Sequence, residues 1–186
     1  MSGFFTIQEL AEMGFASIGT NVKISRKASL YKVQNMNIGN NVRIEDYCVL
    51  NGDITLGDNV MICVYCLLDG NSGIEINDNV TMAARCSIHS GSDDYSGKSL
   101  FGCFAPRHLR KYRIGKKVVI KKHCLLGDST IILPGTTLNE GTAVGANSLI
   151  KEDTEEWSIY AGSPAKKIKS RSRDILVMYK NVQQNM

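Results

Sequence analysis

From Ile114 onward every sixth residue is aliphatic: Ile114, Ile120, Leu126, Ile132, Leu138, Val144, Ile150. Four places after each of the first six stands a small or β-branched residue: Val118, Cys124, Thr130, Thr136, Thr142, Ser148. A period of six fits neither the 3.6 of an α-helix nor the simple alternation of an isolated hairpin strand. It fits a parallel β-helix of hexapeptide repeats, in which short strands form flat sides and three sides close one triangular coil. The aliphatic residue then points into the prism, and the residue four places on must be small enough to share that interior.

The same register runs through the first half of the chain. It begins at Ile18, Ile24 and Leu30, and resumes eight residues later at Ile38 with Ile44, Leu50, Leu56, Ile62 and Leu68. A second eight-residue step leads to Ile76, Met82 and Ile88. The two longer steps predict corner insertions at Gln34–Asn37 and Asn71–Ile74. Gly39-Asn40-Asn41, Gly57-Asp58-Asn59 and Asn77-Asp78-Asn79 recur at the corners, as tight turns require. Twelve hexads before residue 90 and seven after 113 predict about six coils. At one strand spacing per coil the prism is ~30 Å tall. The expected class is all-β, a parallel β-helix over 18–160 with one long excursion at 90–113. An excursion of that length from a compact solenoid is usually functional, and its aromatics Tyr95, Phe101 and Phe104 predict packing, against a neighbouring subunit for example.

The two ends break the pattern. In residues 1–17, Thr6-Ile-Gln-Glu9 reads as a capping box and predicts a short helix over the open first coil. In residues 161–186, Ser163 followed by Pro164 reads as the start of a basic helix. Five basic residues and no acidic one lie between Gly162 and Arg173.

Composition narrows the function classes. Hydrophobic residues make up 43% of the 186, which excludes a disordered chain, and the net charge of +4 is too small to indicate nucleic acid. No apolar run approaches the ~20 residues of a membrane span. The first twenty residues lack the basic and apolar regions of a signal peptide, so a cytoplasmic location is expected. Cys63 and Cys66 form a lone CxxC, but the register explains most of the cysteines differently. Cys48, Cys66, Cys86 and Cys124 each lie four places after a repeat aliphatic, at the inward small position. Free thiols there suit a reducing compartment.

The hexads, the excursion after Ile88 and the ending Ala161-Gly-Ser-Pro-Ala-Lys-Lys-Ile-Lys169 resemble the hexapeptide-repeat acetyltransferases, especially the maltose and galactoside acetyltransferase-like group that modifies sugars of bacterial surface polysaccharides. The resemblance covers roughly residues 18–173 and implies a left-handed β-helix, a homotrimer, and acetyl-CoA in the groove between adjacent prisms. It implies a sugar or nucleotide-linked sugar as acceptor. It also implies cofactor contacts at Lys166 and Lys169 in the tail, at Ala146 through its backbone, and at Lys151 after the last hexad.

Acyl transfer from a thioester needs a base for the acceptor's proton, N–H groups for the developing oxyanion, and cations for the phosphates of coenzyme A. The base has several candidates. Where the maltose-like members carry their histidine, five places after the last aliphatic position before the loop, this chain has Asp93. His89 stands directly after Ile88. His89, His123 and the pair Asp93 and Asp94 are therefore all candidates, with His108 behind them. The short histidine spacing of zinc-dependent carbonic-anhydrase-like β-helices is missing, so no metal is expected. A non-catalytic scaffold subunit is the other alternative; it requires neither the basic tail nor the long excursion.

Overall fold

A computed structural model describes residues 3–184. The chain winds as a left-handed parallel β-helix with three faces. On the first face Ile18, Ile38, Leu56, Ile76, Ile120 and Leu138 lie in register, one per coil. The second face stacks Ile24, Ile44, Ile62, Met82, Leu126, Val144 and Tyr160. The third stacks Leu30, Leu50, Leu68, Ile88, Ile132 and Ile150. Two faces thus have six levels and one has seven, close to the six coils expected, with Tyr160 adding a level and Ile114 supplying none. Nearly all of these side chains are buried, and each contributes about 1.5–3 kcal/mol by leaving water.

The inward small positions do more than fill space. Cys48 donates its thiol to the Cys63 carbonyl (3.0 Å), Cys66 to Ala83 (3.2 Å) and Cys86 to Gly127 (3.2 Å). Higher up, Thr130 donates to Gly127 (2.7 Å) and Ser148 to Gly145 (2.6 Å). A buried corner carbonyl needs a donor, and Cys, Thr and Ser supply one in a small volume. Burial pushes the Cys124 thiol up to about 12, so it stays protonated. The described cysteines are all free.

Two corners turn through a left-handed residue, one of them in every coil and the other from the second coil on. In one, Asn21, Asn41, Asn59 and Asn79 (φ 53° to 59°) form a ladder, each amide donating to the next at 2.9–3.1 Å. Asparagine tolerates this backbone because its side chain bonds locally.

The ends are closed in different ways. Helix α1 (Ile7–Glu12) starts in the predicted capping box, Glu9 amide on the Thr6 hydroxyl and Thr6 amide on the Glu9 carboxylate, and buries Leu10 over the first coil. The predicted helix at Ser163 is not there. Ser158–Gly162 and Ala165–Ser170 instead form an antiparallel hairpin, and the helix α2 comes later, at Asp174–Gln184. The last face-two strand would otherwise leave an open edge, and a lysine-bearing outer strand both pairs it and discourages further pairing. Pro164 serves the hairpin turn. Among the described residues no helix is long and apolar enough to cross a membrane.

Ile114 also departs from its predicted inward position. It is 46% exposed, because Ile114–Gly115 pairs antiparallel with Gly91–Ser92 to make a neck for the excursion. The inward register resumes at Val118. Beyond the neck the loop's aromatics find no core in this chain: Tyr95 and Phe104 are 96% and 99% exposed.

Candidate functional site

At the end of face three, where the chain leaves the coil, Tyr31, Asn51, Asp69 and His89 stand in register on successive levels. Strand geometry puts these alternate residues outside while Leu30, Leu50, Leu68 and Ile88 face in. They line an open cavity of about 660 Å³ together with Lys32, Val49, Leu67 and Asn71. The Lys32 ammonium reaches Asn71 Oδ1 (3.1 Å), and Asn71 donates to Asp69 (2.5 Å). His89 is half-buried at the head of this column. Its backbone is held by the next residue: Ser90, fully buried, donates its amide (3.0 Å) and hydroxyl (2.8 Å) to the Asp69 carbonyl and accepts from the Ser72 amide (2.8 Å). Ser90, Asp69 and Asn71 were not singled out from the sequence. Asp69 could have been, since it lies one coil before His89 in the repeat register.

Asp93 and Asp94, though close to His89 in sequence, are occupied within the loop. Asp93 accepts from the Gly102 amide (3.2 Å) and pairs with Arg110 (3.2 Å). These contacts hold its carboxyl below the usual carboxylate range. Asp94 accepts from the Ser96 hydroxyl (2.7 Å) and the amides of Ser96, Lys98 and Ser99 (2.9–3.0 Å), which likewise lower its pKa. Neither lines the His89 cavity. His108 lies in a short 3₁₀ turn of the loop, Arg107–Leu109.

His123 faces out of the prism as expected and lines a pocket of about 330 Å³ that Arg171, Ile175, Met178 and Tyr179 of the tail roof over. It tops the asparagine ladder with its own left-handed backbone (φ 62°). Its ring lies 6.1 Å from that of Trp157 and 5.1 Å from that of Tyr179 on α2. Arg171 ties the roof down through the carbonyls of His123 (2.8 Å) and Gly141 (2.9 Å). Gly141 is required here: its φ is +71°, and a Cβ would sit 2.4 Å from the Trp157 ring. His123 Nδ1 is buried without a partner, and burial lowers the imidazole pKa.

At the far end a second pocket, about 390 Å³, is lined by Lys151, Lys166 and Lys167 with Asp153, Tyr160 and Pro164. Lys151 and Lys166 are thus brought together by the terminal hairpin. Lys167 pairs with Glu155 (2.6 Å), and Asp153 accepts from the Thr137 amide (2.7 Å). Lys169, opposite Ile159, is exposed outside this pocket, and Ala146 is exposed at a corner one coil earlier. Among the described residues no three His, Cys, Asp or Glu side chains converge to hold a metal ion.

Residues 35–70 match the family described as bacterial transferase hexapeptide (six repeats). Over 171 residues the chain is 42% identical to the dTDP-4-amino-4,6-dideoxy-D-glucose acyltransferase of Escherichia coli, covering 90% of this chain and 88% of that one. It is 29% identical over 120 residues to the putative lipopolysaccharide biosynthesis O-acetyl transferase WbbJ of Escherichia coli K12, covering 56% and 61%. The fold superposes on AntD, an N-acyltransferase from Bacillus cereus solved with dTDP and 3-hydroxybutyryl-CoA, with TM-score 0.97 and 40% identity over 100% of this chain and 99% of that one. A mutant of AntD has been solved with dTDP-4-amino-4,6-dideoxyglucose and Coenzyme A; it matches at TM-score 0.97 and 41% identity over 100% of both chains.

Proposed function

The chain belongs to the hexapeptide-repeat sugar acyltransferases, and from that premise we propose that it transfers an acyl group from coenzyme A to the amino group of a deoxyhexose carried on a nucleoside diphosphate, a precursor for surface polysaccharide. The observation that carries this reading is the face-three cavity with Asp69 and His89 on adjacent levels. An amino sugar arrives largely as its ammonium form. A carboxylate binds that form, and a neighbouring imidazole can take its proton.

In the reaction the amine nitrogen attacks the thioester carbonyl, the C–N bond forms, and the C–S bond breaks. His89 hands the ammonium's first proton to solvent before attack; it then takes the second proton, lost by nitrogen as the amide forms, and gives it to the departing thiolate of coenzyme A. Asn51 and Tyr31 offer hydrogen bonds for the remaining sugar groups, and Ser90 fixes the backbone that carries His89. Asp93 and Asp94 shape the excursion and do not act as bases, since both are held ionised by several donors. Lys151 and Lys166, with Lys167, suit the phosphates of coenzyme A. The His89 cavity is open on one side, and the loop's aromatics Phe101 and Phe104 are exposed among the described residues. A homotrimer in which each excursion covers a neighbour accounts for both.

The test is thiol release from acetyl-CoA and longer acyl-CoAs with dTDP-4-amino-4,6-dideoxyglucose as acceptor, and mass spectrometry of the product. An amide product is expected. Release only with 4-hydroxy sugars would reassign the enzyme to O-acylation, and no release with any acceptor would favour a scaffold subunit.

A further inference from the structure

We propose that the second left-handed corner, built from Tyr47, Tyr65 and Arg85, is the subsite for the base and diphosphate of the acceptor. This rests on the reading of the chain as an acyltransferase for a nucleotide-linked sugar.

The argument begins with the backbone. Both corner columns place residues at positive φ, a conformation that costs a residue with a Cβ roughly 1–2 kcal/mol and suits asparagine best. The first column uses asparagine four times in succession. The second carries Tyr47 (φ 60°), Tyr65 (φ 62°) and Arg85 (φ 60°) on those same coils before Ser129 and Asn147, whereas the first turns to large residues only under the tail, at His123 and Trp157. Large side chains kept in such a backbone cluster at ligand sites. They are not needed for the core, since Cys48 and Cys66 fill the inward places beside them.

Their arrangement fits a planar ring with an anionic tail. The two tyrosine rings are parallel within 11°, with centroids 5.0 Å apart, and remain 48% and 56% exposed. On the lower side the Lys27 ammonium, held by Asp46 (2.8 Å), lies 5.3 Å from the Tyr47 ring centre. On the upper side Arg85 occupies the next level. Its guanidinium is drawn aside by Asp128 (3.2 Å) and Ser129 (3.4 Å) through Nη2 and Nε. That leaves Nη1 directed to neither, a donor pair suited to phosphate oxygens. A nucleobase stacks on an aromatic ring whatever its identity, and the diphosphate would compete for Arg85 with an exposed, weakly held carboxylate.

The column also lies at the correct distance from the reaction. Tyr65 turns the corner into the strand Leu67–Ile76 that carries Asp69, four residues on and so at most roughly 13 Å away. Leu67 between them, with Val49 one coil below, forms the floor of the His89 cavity. A nucleotide-linked sugar can lie across this face with its base at Tyr65, its diphosphate near Arg85 and its amino sugar at His89.

The experiment measures acceptor kinetics by thiol release for Tyr65→Ala, Tyr65→Phe and Arg85→Ala. The KM for the dTDP-linked amino sugar should rise at least about tenfold in the two alanine variants, the worth of one base stack or one phosphate contact. Competitive inhibition by free dTDP should weaken in parallel, KM for acyl-CoA should stay put, and Tyr65→Phe should retain tight dTDP binding. Unchanged acceptor KM and dTDP inhibition in folded alanine variants would overturn the assignment. So would a changed sedimentation coefficient with unchanged dTDP affinity, which would make the stack a contact between copies. If the wild type turns over no amino sugar, the acyltransferase reading fails on its own, and calorimetric titration of dTDP into wild type and Tyr65→Ala still decides whether the base binds here.

Discussion

His89 and His123 are the same side chain on the outside of the same solenoid, yet their surroundings differ. His89 ends a strand beside an open cavity, with Asp69 one level below and its backbone clamped by Ser90. His123 sits in a corner under Trp157 and α2, with one ring nitrogen buried and unpartnered. Facing out of the prism is therefore insufficient for chemistry. What differs is what the later chain does: the tail after Trp157 roofs the pocket that His123 lines and leaves the cavity beside His89 unroofed.

The largest expected effect sharpens this contrast. His89→Ala should lower kcat by about 10²–10⁴, the usual worth of general-base catalysis, and remove the acidic limb of the kcat/KM profile. Its melting temperature should stay near wild type, because a half-exposed side chain leaves no core cavity. A normal kcat in this variant together with a crippled His123→Ala would reverse the two assignments.

Next comes the roof. Trp157 is only 5% exposed, so Trp157→Ala should cost about 3–5 kcal/mol in denaturant unfolding. Cysteine reactivity gives a second readout: Cys124, buried below the same roof, should become accessible to a thiol reagent. An unfolding midpoint close to wild type would mean the roof is not part of the cooperative fold.

Smaller effects should separate the lysines. Lys166→Ala and Lys151→Ala should each raise KM for acyl-CoA, by an amount corresponding to about 1.5–3 kcal/mol for a charged contact, with less change in kcat. Lys169→Ala, outside the pocket, should do less. Equal losses for all three would show that a diffuse positive field is at work instead of a defined pocket.

The smallest effect is a pH dependence carried by His123. Burial depresses its folded pKa below the ordinary imidazole value of 6.5. The unfolded chain therefore binds the proton more readily. The neutral ring's stability contribution is present above that value and is lost as pH falls from there through the folded pKa. Urea unfolding from pH 7.5 to 5 should show this slope, and His123→Asn should flatten it. An identical slope in the variant would place the titration elsewhere.

Much of the solenoid was legible without coordinates. Period six, the small inward residues and the corner asparagines act within one coil or between adjacent coils, so the same local rule repeats and can be counted. Thr6 and Glu9 were legible for the same reason, being three residues apart on one helical turn. The groove was half legible. His89 stood out because the register breaks there, and Asp69 could be placed one coil below it by the same register, whereas the Ser90 hydrogen bonds to Asp69 and Ser72 appear only once the coils are stacked.

Tertiary structure decided the rest, wherever a residue's partner lies outside its own repeat. Ser163-Pro164 carries a good local helix start, but the open edge of the last face-two strand offers a full set of backbone hydrogen bonds to the following segment. That gain outweighs the local propensity, so the segment becomes a strand. Ile114 keeps the hexad spacing but pairs in the neck of the excursion and ends outside. Asp93 and Asp94 look like a catalytic pair in sequence, but Arg110 and the loop's own amides take them. Periodicity thus determined which residues face the core, because burial of one side of a repeating unit is a local constraint. Which outward residues meet solvent, a roof or one another depended on contacts over tens of residues, and no period encodes those.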